Sequence, residues 1–315
     1  MFDEIEIDES SNFSNIKIQK EIESVYLLND QENDMDMDQF RDNFSRIKNI
    51  NQIKSMIIDP SSRVKDLLFL ENMPNLEYLI IHGKHIENLT GIDGSEKLDF
   101  LEIDTVKNKR RNIEALSQTR IASLKLKFAK SQDLEVLNHC PSIKDLEIIG
   151  CADFDPELIK EMNIERLDIV RAKNIKLSNF NKLRKLTKLH IAHCNKLSRF
   201  ENNNENISFL IVQTCNSLDL ETIRSFPNLE TLLISSCKKP FSMGFINSIK
   251  PLNKLTIEYC KLEIPLIDYK IELKNFDHIF ITPAKKELLK KLSQLNKDVT
   301  IENEKFCFIN GVAEA

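Results

Sequence analysis

"CPSIKDLEIIGC", residues 140–151, holds an alternating apolar run between two cysteines. Its last nine residues, IKDLEIIGC from Ile143, recur as LTKLHIAHC from Leu186, ISFLIVQTC from Ile207, LETLLISSC from Leu229 and LNKLTIEYC from Leu252. The common form is LxxLxLxxC, with Leu, Ile or Val at the apolar places. Looser copies begin at Ile53, Leu76, Leu98, Ile121, Ile164 and Phe276, so eleven copies follow one another at steps of 21 to 24 residues. Self-similarity at a fixed period of this length marks a repeat architecture and outranks any local signal.

In each copy the fourth and sixth residues point to one side of a short strand, because strand side chains alternate with period 2. Successive copies then stack as parallel strands, and a return segment of about a dozen residues covers the buried side. That segment also carries apolar residues, as in "DLETIRSF" with Leu220, Ile223 and Phe226. No copy can bury its apolar face alone, so the core runs from copy to copy. "EIESVYLLND", with Ile22, Val25 and Leu27, reads as a degenerate earlier copy displaced by an insertion.

This pattern resembles the leucine-rich-repeat family over residues 53–284. The resemblance implies an α/β leucine-rich-repeat solenoid (horseshoe) with a parallel concave sheet, short helices or turns on the convex side, and helical caps at both ends. The domains expected from it are an N-terminal segment and cap at 1–50, the solenoid at 51–284, and a C-terminal cap helix and tail at 285–315. The cysteine-containing flavour of "CPSIKDLEIIGC" and "FPNLETLLISSC" looks like that of F-box substrate receptors, although the first fifty residues show no F-box helical pattern.

Residue nine of successive copies forms a column that includes Ser61, Lys84, Ala129, Cys151, Ala172, Cys194, Cys215, Cys237 and Cys260. Apart from Lys84 these are small, so size governs the slot more than donor strength. Cys140 precedes Pro141 as Met73 precedes Pro74 and Phe226 precedes Pro227, which places three apolar residues in one core slot. Zinc needs about four converging ligands, whereas a ladder delivers one thiol per level. Stacked neighbours such as Cys194 and Cys215 come within reach of a disulfide, but their side chains run parallel. Packing is therefore the reading preferred over metal or disulfides.

Seven cysteines is an odd number, and the acidic start "MFDEIEIDESSNF" has no apolar core typical of a cleavable signal, so a reducing, cytoplasmic setting is expected. No stretch approaches the roughly 18 apolar residues of a spanning helix. A net charge of −5 makes no demand for nucleic acid or an anionic membrane.

Residues 37–47 read as an amphipathic helix with Met37, Phe40, Phe44 and Ile47 on one face. The acidic run ahead of it lacks the central Gly and terminal Glu of a calcium loop, and reads as a solvated approach to a helix N-terminus. "AKKELLKKLSQL" reads as a basic C-terminal helix with a strand after it near Val299 to Ile301, and "KNKRR" (107–111) as a solvated turn rather than a nuclear-import patch.

No phosphate loop, GxSxG or HExxH occurs, so no enzyme activity and no cofactor are expected. Candidate binding residues are those on the open side of the strands. Tyr78, Ile80 and Phe100 form one apolar group, and Phe209, Ile211 and Leu233 another. Between them in sequence lie Glu102, Lys125, Glu147, Asp168 and His190. Aromatic anchors beside charged groups have the composition of interaction hot spots, while the charges also suit cross-strand pairs that stabilise the sheet.

The expected partner is therefore a protein. One reading is a translocated bacterial effector acting on a eukaryotic host protein, secreted into the host cell without a cleavable signal; the other is an endogenous scaffold or adaptor, such as a ubiquitin-ligase substrate receptor or phosphatase regulator.

Overall fold

The computed structural model describes residues 3–9, 13, 16–29, 36–104, 113–201, 204–262 and 276–282, together with the strands at 300–303, 306–309 and 312–314. The chain forms two compact units, Met1–Ile149 with Glu161–Asn163, and Gly150–Lys160 with Ile164–Ala315.

In the first unit, seven strands pair in chain order, all parallel: β1 (Asp3–Asp8), β2 (Ile22–Leu28), β3 (Ser55–Ile58), β4 (Tyr78–Ile81), β5 (Phe100–Asp104), β6 (Ser123–Lys127) and β7 (Asp145–Ile149). In the second, β9 (Arg166–Val170), β11 (Lys188–Ala192), β12 (Phe209–Gln213), β13 (Thr231–Ser235), β14 (Lys254–Glu258), β15 (His278–Thr282) and β16 (Thr300–Asn303) are likewise parallel. Two antiparallel strands, β17 (Phe306–Ile309) and β18 (Val312–Glu314), follow them. The short strands β8 (Asp153–Phe154) and β10 (Asn174–Ile175) pair separately with each other.

Alternation decides what each strand buries. In β6, Leu124 and Leu126 are buried while Ser123, Lys125 and Lys127 are not, and β12 repeats this with Leu210 and Val212 inside. The register aligns like with like: Leu189 with Leu210, Leu210 with Leu232, Leu232 with Leu255.

The return segments are mostly 3-10 helices, and their apolar spacing explains why. Buried residues recur at every third position: Leu67, Leu70, Met73; Leu134, Leu137, Cys140; Leu220, Ile223, Phe226; Met243, Ile246, Ile249. A 3-10 helix has 3.0 residues per turn, so such a triad forms one straight apolar stripe, which a 3.6-residue turn would smear. Cys140, Met73 and Phe226 share the third place of the triad, as their common position before proline predicts. Ser95 takes that slot in one copy, and its hydroxyl donates to the carbonyl of Met73 at 3.3 Å. Side-chain caps start several of these turns: Asp155 accepts from the Glu157 amide at 3.0 Å, Asp219 from the Glu221 amide at 3.2 Å, and Ser242 from the Gly244 amide at 3.1 Å.

The N-terminal region corrects one expectation. Helix α1 (Met37–Ser45) forms where the periodicity predicts it, capped by Asp36, but it does not close the end of the sheet. It lies in the connection between β2 and β3, and two strands precede it. Phe40 and Phe44 project into a cluster with Phe13 and Phe69, ring centroids 5.0 to 6.3 Å apart and mostly edge to face. The insertion thus brings its own core, and "EIESVYLLND" supplies β2. A second short helix, α2 (Ser131–Val136), leads into the turn that holds Cys140. The expected C-terminal helix, the basic stretch 107–111 and most of the acidic run before α1 lie outside the described residues.

Candidate protein-binding face

On the first unit, the outward side chains fall into rows that cross the strands. One row reads Ser24, Ser55, Tyr78, Phe100, Ser123; the next reads Tyr26, Ile57, Ile80, Glu102, Lys125, Glu147. Tyr78 and Phe100 are neighbours with ring centroids 6.1 Å apart, and Tyr78 is 43% exposed. Ile80 and Ile57 extend the patch and are half-buried. The structure therefore unites Tyr78, Ile80 and Phe100 into one apolar surface.

Beside the patch lies a charged network. Lys125 Nζ sits 3.4 Å from Glu102 and 3.5 Å from Glu147, and Lys127 Nζ sits 2.6 Å from Glu102 and 3.5 Å from Asp104. His82 Nδ1 adds a 3.6 Å contact to Asp104. Burial works against ionisation of Glu102, but Lys127 and Lys125 outweigh it and hold the carboxyl below its usual range. Glu102 is only 8% exposed, so this member of the predicted set spends its charge on its own neighbours.

Sequence reasoning overlooked the acidic margin. Glu4 and Glu6 of β1 are exposed, in register with Ser24 and Tyr26. The Tyr26 hydroxyl donates to Asp59, and that bond, with burial, pushes the phenol up to about 12. The alternation in "DEIEID" was the available signal.

The second unit carries the remaining predicted residues. Arg166 grips Asp168 through two hydrogen bonds, from Nε at 3.1 Å and Nη2 at 2.8 Å, and His190 Nδ1 lies 3.6 Å from the same carboxylate. Burial opposes the charge on Asp168, yet His190 and Arg166 together hold its carboxyl below the ordinary range. His190 Nε2 is buried and has no hydrogen-bond partner among the described residues, so the ring does not offer that nitrogen to a solute. Phe209, Ile211 and Leu233 meet on adjacent strands, all half-buried, with Lys188 and Lys254 exposed in the Phe209 row. Their patch is less open than the one around Tyr78.

No family model and no curated protein sequence matches the chain. Solved structures do. A chain of the mouse RP105/MD-1 complex superposes with a TM-score of 0.54 at 15% identity, over 91% of this chain and 56% of that one. The fold is that of the leucine-rich-repeat proteins. A functional domain of InlJ from Listeria monocytogenes that includes a cysteine ladder gives 0.48 at 11% identity, over 91% of this chain and 65% of that one. An internalin, InlF, from Listeria monocytogenes gives 0.43 at 16%, over 85% and 69%. This chain spans about half the length of the RP105/MD-1 chain it matches.

Within this leucine-rich-repeat frame four of the column cysteines share one geometry, while Cys151 donates forward to the carbonyl of Asp153 at 3.0 Å. Cys140, Cys151, Cys194, Cys215, Cys237 and Cys260 are free thiols. Cys194, Cys215 and Cys260 each donate to the carbonyl two residues back, at 3.2, 3.5 and 3.2 Å, and to a strand carbonyl of the preceding copy at 3.7 Å. Cys237 makes the first of these contacts at 3.6 Å. The neighbouring thiol, Cys194 for Cys215 and Cys237 for Cys260, and burial push Cys215 and Cys260 above the usual thiol range. Burial alone pushes Cys140 up to about 11.

The residue before seven of the ladder positions is left-handed: Phe128, Gly150, Arg171, His193, Thr214, Ser236 and Tyr259 have φ between 52° and 73°. Each of their amides donates to a carbonyl of the following strand, as Thr214 does to Ser235 at 2.8 Å. The repeated turn is thus held by backbone, and the thiol fills the space beneath it.

Among the described residues, no three His, Cys, Asp or Glu side chains are grouped to hold a metal ion. No helix among them is long and apolar enough to cross a membrane.

Proposed function

We propose that the chain binds a protein partner on the outward face of its repeat strands, within residues 51–284, without bond-making chemistry and without a cofactor. One observation carries this reading: Tyr78, among the most exposed large apolar side chains described, sits against Phe100 and Ile80 on a rigid sheet flanked by fixed charges. Aromatic side chains held at low entropic cost, with charges at the margin, are what an interaction hot spot requires. The second patch, Phe209, Ile211 and Leu233, serves as an additional anchor, and Lys125, Glu147, Asp168 and His190 set the local charge. The finer reading is a translocated bacterial effector acting on a eukaryotic host protein, with an endogenous scaffold or adaptor as the alternative.

The test is a pulldown from eukaryotic lysate with the wild type, Tyr78→Ala/Phe100→Ala and Phe209→Ala/Leu233→Asp, each shown to be folded by circular dichroism. A protein retained by the wild type and lost from a variant places the contact on that patch. Equal recovery by all three removes the outward face from consideration.

A further inference from the structure

From the charge that surrounds the Tyr78 patch we infer the chemistry of its occupant: a basic protein segment with aliphatic residues at its centre and lysine or arginine towards both ends. This rests on the reading of the outward face as the binding surface. Two observations combine. The patch made by Ile57, Tyr78, Ile80 and Phe100 is apolar and partly open. The face around it is acidic well beyond the mild net charge of the chain. Glu4, Glu6 and Asp8 stand on β1, Asp59 follows β3, Glu102 and Asp104 lie on β5, and Asp145 and Glu147 lie on β7. Against these carboxylates the strand rows described in the first unit set Lys125, Lys127 and His82, each of them drawn to Glu102, Asp104 or Glu147. Glu4, Glu6 and Asp145 are exposed and make no ion pair among the described residues.

The geometry suits long cationic side chains. Strands are about 4.8 Å apart, so Glu6 on β1 and Ile57 on β3 are separated by about 10 Å across the face. Lys and Arg lay their methylene stems on apolar surface while their heads stay wet. A guanidinium over Tyr78 or Phe100 gains the attraction of the ring face as well. An extended segment lying across the strands presents every second side chain to the sheet, so facing aliphatic groups at its centre would cover the patch while facing cations near its two ends met Glu4 and Glu6 at one side and Asp145 at the other. The same field repels phosphates, which disfavours nucleic acids and anionic membranes as occupants of this face.

The probe is a short fluorescein-labelled peptide with leucines at its centre and arginines towards both ends, followed by anisotropy. Its controls are the same peptide with glutamate for arginine, and with serine for leucine. Glu4→Lys/Glu6→Lys is expected to weaken binding about tenfold, and Tyr78→Ala/Phe100→Ala by a similar factor. Asp93→Lys/Glu96→Lys, an equal charge change in a return segment, is expected to shift it less than about twofold. The glutamate and serine peptides are expected to bind at least about tenfold more weakly.

Loss of binding with the aromatic variant but none with Glu4→Lys/Glu6→Lys would overturn the basic occupant and leave the binding face standing. Equal binding of the glutamate peptide, equal weakening by the return-segment variant, or no binding of the arginine peptide would overturn it too. Indifference to both face variants would bring down the face along with its occupant.

Discussion

The two units stack the same kind of copy, yet they finish their strands differently. In the first, the strand ends at β3, β4 and β5 are managed by polar side chains: Asp59 accepts from the Ser61 amide at 2.7 Å and from Tyr26, and His82 and Lys127 both reach Asp104. From the end of β6 onward, and so through the second unit, the turns are left-handed, their amides reach the next strand, and a thiol or alanine lies below. Their outward faces differ in step: the first is crowded with carboxylates, while the second balances Asp168 and Glu258 with Arg166, Lys188 and Lys254. The period of a repeat fixes the strand and its core. It leaves open which physical device closes the turn and what charge the face presents.

Core substitution offers the harshest test of this contrast. Phe69→Ala opens the aromatic cluster that the insertion with α1 gives the first unit, and is expected to cost about 3–5 kcal/mol in a denaturant melt. The second unit has a simpler aromatic contact, Phe200 with Phe226 at 4.9 Å, and no counterpart of α1 among its described residues. Overpacking the ladder follows. Cys215→Leu has no space under its turn and is expected to destabilise by about 1–3 kcal/mol. Cys215→Ala, which restores the size found at Ala129 and Ala172, is expected to cost less in the same melt.

The charged networks of the two units should respond alike to acid. Glu102 and Asp168 both have native carboxyls held below the usual range. Their contribution is complete above the ordinary carboxylate range. It fades as pH falls, because the unfolded chain takes up the proton first, and is gone once the pH passes below the depressed native value. Stability curves of Glu102→Gln and Asp168→Asn should therefore converge on that of the wild type as pH falls through and below that range. Glu9 has the opposite sign, its carboxyl pushed up by burial, so Glu9→Gln should gain on the wild type as pH rises through the ordinary range. Parallel, uncrossed curves would break this assignment.

The smallest effects belong to the turns. Gly150→Ala places a Cβ at φ 73° and is expected to cost about 1–2 kcal/mol. Thr214→Gly relieves a β-branched residue at φ 52° and, after the entropy of an added glycine, is expected to stabilise by less than about 1 kcal/mol. Thermal melts of the pair should move in opposite directions.

The strands, their register and their buried rows were legible because period 2 within a copy and a near-constant step between copies leave one solution. The thiol column was legible for the same reason, with size as the clue. The left-handed turns were not, because only Gly150 carries the residue that advertises them; Thr214 and Tyr259 adopt the conformation because the following strand accepts their amides. The apolar members of the candidate face were legible from alternation. Pairing among the charged members was legible as well; that Glu102 and Asp168 are buried in their pairs was not, since it depends on how Lys125 and Lys127 of the next copy, and Arg166 of the same strand, close over them. The acidic edge at β1 escaped because its strand precedes the recognisable copies.

The three-residue spacing in the return segments also dictates where the chain tolerates a change of length. Each added or deleted residue inside a triad such as Leu220, Ile223 and Phe226 turns the following apolar side chain by about 120° and away from the core. Phe226 precedes Leu229 by the same interval as Met73 precedes Leu76, Cys140 precedes Ile143 and Ile249 precedes Leu252. Where that interval holds, copies of different length take up the difference upstream, between the strand and its triad; Met162 instead precedes Ile164 by two residues, so that copy is shortened after its triad. In the copies that keep the interval, insertions and deletions have one permitted address, and diversification of the chain by length is channelled there.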